Sequence, residues 1–376
     1  MDIFSDLPQP SSSPVKNTSG SKAKFPVSVP ATDRGDNSGL FGDLPPADDA
    51  DDKQKIRNKR KSEDSIQNEN QKHVKTETSA RYILKGYVAD RRGEREEMQD
   101  AHVLVDNFLD EFQDLHPSIH HLSLYCVFDG HGGSRASRFA SESLRVNLRT
   151  YFPKGDVDSV EKEMKKCFID AFKKTDEDFL KNAAKSKPSW KDGTTAVVVL
   201  VVNDTLFIAN LGDSKAVLCR YKPDQDKCVP IPLSADHSPS LYEERMRIQK
   251  TGGHVREGRV MGVLEVSRSL GDGPYKNHGV TCLPNVKRCP ITENDRFILI
   301  ACDGLWKSYS LQESIDFVNK TSSQISQVAS SDGKTTEDTC FETACNRLAN
   351  DAVLRLSGDN VTVMIVSIKQ MDHGKS

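Results

Sequence analysis

The sequence predicts a layered fold of sheets and helices built on antiparallel strands, and three observations carry that expectation. Apolar, β-branched runs follow one another with only short turns between them. Amphipathic helical stretches come in pairs instead of alternating with the strands, which disfavours a Rossmann-type arrangement. No solenoid repeat is visible.

The elements follow in order. "YILKGYVADRR" from Tyr82 and "AHVLVDNF" from Ala101 read as strands from their β-branched and aromatic content. "SLYCVFDG" from Ser123 is a third, buried on both faces because its apolar residues do not alternate with polar ones. Residues Ser134 to Tyr151 and Val157 to about Lys185 space their apolar side chains by three and four, as in "MKKCFIDAFKKTDEDFL", and read as two amphipathic helices. "TTAVVVLVV", "TLFIANLGD" and "AVLCRY" give three consecutive strands joined by short turns, so an antiparallel meander is expected. "YEERMRIQKTGGHV" is a helix closed by a glycine pair. "RFILIACDG" is another buried strand, "ETACNRLANDAVLRL" a helix and "NVTVMIVSI" a final strand.

Residues 1–80 contain no Cys, Trp or Tyr and are dominated by Ser, Pro, Asp, Lys and Asn, a mixture unable to bury enough apolar surface to offset ordering entropy. A disordered tail over 1–80, one large domain over 81–370 and a short tail over 371–376 are therefore expected. The formal net charge of -3 sets aside an indiscriminate nucleic-acid binder, which needs a cationic excess. Nine cysteines, all between Cys126 and Cys345, are odd in number and irregularly spaced; with no secretory leader they read as reduced thiols of an intracellular protein. No C-x-x-C pair points to zinc, and no apolar run reaches the roughly 18 residues of a membrane span.

Within the tail, "FSDLP" (Phe4 to Pro8) recurs as "FGDLP" (Phe41 to Pro45), either a docking motif or a chance recurrence in a Pro/Asp-rich segment. "KIRNKRK", Lys55 to Lys61, is either a solvated charge run or an import signal, giving an expected cytoplasmic and nuclear location. The segment 324–338, "QISQVASSDGKTTED", reads as a mobile insertion.

Acids punctuate the buried strands. Asp129 follows "LYCVF", Asp213 follows "LFIANLG", Asp303 follows "FILIAC", Asp359 precedes "VTVMIV" and Asp100 precedes "AHVLV". Each alone is an ordinary turn former. Together, on one rim of a packed sheet, five carboxylates would repel one another unless something cationic lay between them. Oxygen ligands suit hard cations such as Mg²⁺ or Mn²⁺, and a carboxylate bridging two such ions positions and activates a shared water. His131 is suited to give a proton to a leaving alkoxide, although a turn histidine that only hydrogen-bonds is the alternative. Arg95 offers a planar fork for phosphate oxygens, or a surface ion pair.

"REEMQDAHV", "VFDGHGG", "DGTTA", "ANLGDSKAVL", "LSADHSP", "ERMRIQKTGGHV", "VSRSLGD", "ILIACDGLW" and "GDNVTVMIV" occur in the order seen in metal-dependent serine/threonine protein phosphatases of type 2C, and the chain resembles that family over nearly all of Arg81 to Lys369. The resemblance implies an α+β layered sandwich, two antiparallel sheets packed face to face and flanked by helix pairs. It implies that Asp129 bridges two Mg²⁺ or Mn²⁺ ions, that the Gly130 carbonyl touches the second, and that Asp303 and Asp359 hold the first. Asp100 would orient coordinated water, Asp213 would serve a weaker third ion, Arg95 would grip phosphate and His131 would be the general acid, with water attacking directly. Phosphoprotein substrates and, from one member's similar tail, association with a kinase complex are also implied; a monomer is the default expectation.

Three departures stand out. Gln99 replaces the Glu of many relatives, weakening a contact to the second metal; Lys307 stands where many carry Asp, which puts the third ion in doubt; and Lys215 replaces an arginine. Rival readings are a catalytically silent scaffold, a two-metal nuclease or phosphodiesterase, and a cysteine phosphatase built on "CLPNVKR". The last has the C-x5-R spacing but no glycine, a proline without an N–H, and no following helix start to lower the thiol pKa.

Overall fold

The computed structural model describes residues 81–325 and 336–371. The chain enters through β1 (Tyr82–Arg91), β2 (Ala101–Val105), β3 (Leu122–Phe128) and the two-residue β4 (Gly130–His131). Helices α1 (Arg135–Tyr151) and α2 (Val157–Lys185) follow, the second capped by the Asp156 carboxylate, which accepts the Ser159 N–H at 3.0 Å. Next come β5 (Gly193–Thr194), β6 (Ala196–Val202), β7 (Thr205–Leu211), β8 (Lys215–Lys222) and β9 (Lys227–Pro232). Helix α3 (Tyr242–Lys250) leads into the short β10 (Val255–Arg256), β11 (Arg259–Val260) and β12 (Leu270–Gly271), then the single turn α4 (Gly273–Lys276). The last elements are β13 (Asn285–Pro290), β14 (Asp295–Ala301), α5 (Asp303–Trp306), α6 (Leu311–Ile325), α7 (Thr336–Leu354) and β15 (Val361–Gln370).

Two five-stranded sheets result, β1-β15-β14-β8-β9 and β13-β7-β6-β3-β2, with every pairing antiparallel. Their central strands are mostly apolar because they are buried on both faces, and β6 is apolar at every position. In β6, Val197, Val199 and Val201 face the other sheet with Ile298, Ile300, Met364 and Val366, while Val198 and Leu200 pack under Leu144, Met164, Phe168 and Phe172 of α1 and α2. On the other side Leu299, Val363 and Ile365 pack under Ile315 and Val318 of α6 and Leu348 of α7. Four layers therefore stack as helices, sheet, sheet, helices, the sandwich expected from the sequence. Each such valine contributes roughly 1.5–3 kcal/mol relative to exposure. Val199→Asp would place an unpaired charge between the sheets and break the stack.

The expected three-strand meander is corrected: β6 and β7 pair, but β8 lies in the opposite sheet, between β14 and β9. Gly212, at φ 105°, turns the chain across the gap, a conformation that side-chain-bearing residues rarely adopt. The sequence reading also missed β9 and β13, whose lysines and prolines suit edge strands and hide their pattern, and it missed α6. The segment 324–338 is in part helical, since α6 extends to Ile325 and α7 begins at Thr336; residues 326–335 lie outside the described residues, as do 1–80 and 372–376. Asp338 accepts hydrogen bonds from Lys85 at 2.7 Å and Tyr87 at 2.5 Å, so this end of the segment is tied to β1.

Candidate metal centre

The antiparallel pairing brings the ends of β3, β7 and β14 and the starts of β2 and β15 to one rim, and every acid singled out in the sequence stands there. Oxygens of Asp129, Asp213 and Asp303 lie within 4.8 Å of one another, and those of Asp100 and Asp129 within the same distance of each other and of the Cys302 sulfur. Asp129 is fixed by its backbone: its carbonyl accepts from Thr195 N at 2.9 Å and Thr194 Oγ1 at 3.0 Å. Asp359 Oδ1 accepts its own neighbour's N–H, from Asn360, at 2.8 Å. Asp100 is buried, and Thr362 Oγ1 donates to its Oδ2 at 2.7 Å. Gly130 is glycine because a side chain there would overlap the Gln99 carbonyl.

The electrostatics identify what the cluster wants. Burial, then the charges of Asp100, Asp303 and Asp213, push the Asp129 carboxyl well above the usual carboxylate range. Burial raises Asp100 to about 6, and burial with the Asp303 charge raises Asp213 to about 6. Asp303 is raised as well, by burial, against the opposing effect of Lys307. Asp359 goes the other way: burial would raise it, but Lys307, the Asn360 N–H and Arg95 hold it below the usual range. Cations thus favour the charged form wherever they touch, and the three-acid group is an oxygen-donor set fitted to a hard divalent ion. Burial, then the charges of Asp100 and Asp129, push the thiol of the neighbouring Cys302 well above its usual range.

Two cations already lie among these acids. Arg95 forks onto Asp359, Nε to Oδ1 at 3.0 Å and an η nitrogen to Oδ2 at 3.0 Å. Lys307 reaches both Asp303 and Asp359. Gln99 donates from Nε2 to Glu97 Oε1 at 2.9 Å. Arg95, Gln99, Asp303, Lys307 and Asp359, with His131 and Asp272, line a cavity of about 430 Å³. His131 Nε2 lies 2.7 Å from Asp272 Oδ2; burial disfavours the imidazolium, but the Asp272 charge outweighs it and the pKa is raised.

Asn360 is a residue that sequence reasoning missed. Its Nδ2 donates to the carbonyls of Arg92 at 2.7 Å and Glu97 at 3.1 Å, and its Oδ1 accepts from Gln99 N at 2.8 Å, so one buried amide fixes the loop that carries Arg95. The signal was its place in "GDN". Asp272, in "VSRSLGD", carries no local signal that ties it to the site. The cysteine-phosphatase loop does not form: residues 285–290 are strand β13, and burial lifts the Cys282 thiol to about 12.

A profile of the family described as Protein phosphatase 2C matches residues 85–361. Integrin-linked kinase-associated serine/threonine phosphatase 2C from Bos taurus is 49% identical over 384 residues, covering 98% of this chain and 100% of that protein. The Homo sapiens protein of the same name is also 49% identical, over 403 residues, 98% of this chain and 100% of its own. Among solved structures, serine-threonine phosphatase 2C from Toxoplasma gondii superposes with a TM-score of 0.62 at 20% identity, covering 78% of this chain and 96% of that one. A C. elegans sex determining protein does so with a TM-score of 0.62 at 25% identity, covering 76% and 64%.

Proposed function

The chain belongs to the protein phosphatase 2C family and is a protein serine/threonine phosphatase, and from that premise we propose that it removes phosphate from phosphoserine and phosphothreonine at the acidic rim by direct attack of water. The observation that carries this reading is the convergence of Asp129, Asp213 and Asp303 in a cavity walled by His131 and Arg95. Two Mg²⁺ or Mn²⁺ ions held by Asp129, the Gly130 carbonyl, Asp303 and Asp359, with Asp213 available to a weaker third, would supply an activated water and neutralise the phosphate charge.

The chain's own groups do the rest. Arg95 presents a guanidinium already in the planar two-point geometry that it makes with Asp359, and the same fork matches two phosphate oxygens. Asp100, whose Oδ2 accepts from Thr362 at 2.7 Å, would orient coordinated water. His131 gives a proton to the departing serine or threonine oxygen, which is too basic to leave as an alkoxide.

The test is phosphate release from a phosphothreonine peptide in EDTA and then in excess Mn²⁺ or Mg²⁺, beside Asp303→Asn. Activity that requires metal and is lost in the variant is expected. Folded protein inert at every metal concentration would favour a scaffold instead. The relatives' names tie them to integrin-linked kinase, and the same association is part of this proposal. So are phosphoprotein substrates, a monomeric state, a catalytic domain over 81–370 preceded by a docking tail over 1–80, and nuclear entry through Lys55 to Lys61. A fluorescent fusion carrying Lys59→Ala, Arg60→Ala and Lys61→Ala should lose its nuclear signal.

A further inference from the structure

We propose that Asp272 is the positioning residue of the proton donor, and that the small sheet β12-β5-β4 is the frame that holds it against His131. This rests on the reading of His131 as the acid. The three strands have two residues each, too few to contribute much as a sheet. What they do is place three residues that are far apart in the sequence side by side. His131 pairs with Gly193, Gly193 pairs with Gly271, and Asp272 follows directly, its N–H donating to the Asp192 carbonyl at 2.9 Å.

Each neighbour of the contact serves it. Asp272 is 2% exposed and sits at φ 53°, a left-handed conformation uncommon for a residue with a side chain. Its Oδ2 accepts both from the imidazole, at 2.7 Å, and from Ser269 Oγ, at 2.6 Å. Gly193 lies beneath the pair: a Cβ there would overlap both Asp272 Oδ2 and His131 Nε2. A buried carboxylate on Nε2 leaves Nδ1 as the nitrogen that can serve the substrate. As the P–O bond breaks, the proton on Nδ1 passes to the leaving oxygen while Nε2–H stays on Asp272. Without Asp272 the ring could turn, and the proton would no longer be aimed.

The leaving group provides the test. Threonine needs that proton, whereas a nitrophenolate departs without it. Turnover of a phosphothreonine peptide and of 4-nitrophenyl phosphate is measured for wild type, Asp272→Asn, Gly193→Ala and His131→Asn. The expected result is a kcat on the peptide that falls roughly tenfold or more beyond any fall on the nitrophenyl ester in all three variants. Parallel losses on both esters in Asp272→Asn and Gly193→Ala, beside a selective loss in His131→Asn, would overturn the positioning role alone. A parallel loss in His131→Asn would overturn the acid reading and this proposal with it. Nitrophenyl turnover also reports that each variant is folded.

Discussion

Lys307 stands one helical turn beyond Asp303 and returns to it, Nζ to Oδ2 at 2.7 Å; the same ammonium lies 2.8 Å from Asp359 Oδ2. A chain-borne cation therefore occupies oxygens that a divalent ion would need.

Removing it should change the protein in two opposed ways. Lys307→Met leaves Asp303 and Asp359 without that counter-charge, so the midpoint of thermal unfolding in EDTA should fall by a few degrees. Mn²⁺ binding, followed by titration calorimetry, should tighten several-fold because no tethered ammonium competes. Unchanged affinity would mean that Lys307 swings aside at no cost.

Thiol chemistry should be silent. Cys282 is raised to about 12 by burial and the nearby Asp176 charge, so almost none is thiolate at neutral pH. Iodoacetamide treatment and Cys282→Ser should each leave phosphate release within about twofold of untreated wild type. A large loss on alkylation of the wild type that Cys282→Ser resists would reinstate a cysteine mechanism.

Stability has a separate anchor. Glu244, 3% exposed on α3, receives Arg268 at 2.6 Å and Arg247 at 2.8 Å, while Arg247 also donates to the carbonyls of Ser267 and Gly279. Glu244→Gln leaves two guanidinium groups short of a partner and should cost about 3 kcal/mol in urea unfolding. A cost below about 1 kcal/mol would show that the arginines find water instead.

Mild acid should weaken the fold through His237. This buried imidazole accepts the Gly212 N–H at 3.1 Å, and burial followed by the Arg268 charge lowers its pKa from 6.5 to about 4. Between those two values the unfolded chain takes up a proton that the folded one refuses, so stability is full above the upper value and is lost as pH falls toward the lower. The loss attributable to this residue is on the order of 3 kcal/mol. Comparing wild type with His237→Asn by urea unfolding at several pH values checks it: the variant should have the flatter profile.

What the sequence made legible follows from locality. β3, β6, β14 and β15 were readable because burial on both faces demands largely apolar runs, and Asp129, Asp303 and Asp359 because they stand at or next to the ends of those runs. The sheet to which β8 belongs was not readable, since its partner β14 lies far along the chain and no short-range signal distinguishes a hairpin from a crossing. Asp272 was hidden for the same reason: it meets His131 across 141 positions, through strands too short to leave a pattern. Arg95 was picked out by its chemistry, but its engagement with Asp359 depends on Asn360 holding the loop, which only the folded chain displays.

β1 and β15 pair along all ten residues, and the Met371 N–H reaches the Arg81 carbonyl at 2.9 Å, so the described domain begins and ends at one point. β15 also lies between β1 and β14, inside its sheet. During synthesis, β1 therefore emerges long before its partner and waits for the final strand to leave the ribosome. The layer that carries Asp303 and Asp359 can close only after translation of the domain is complete, and until then the exposed edges of β1 and β14 are the surfaces a chaperone would have to cover.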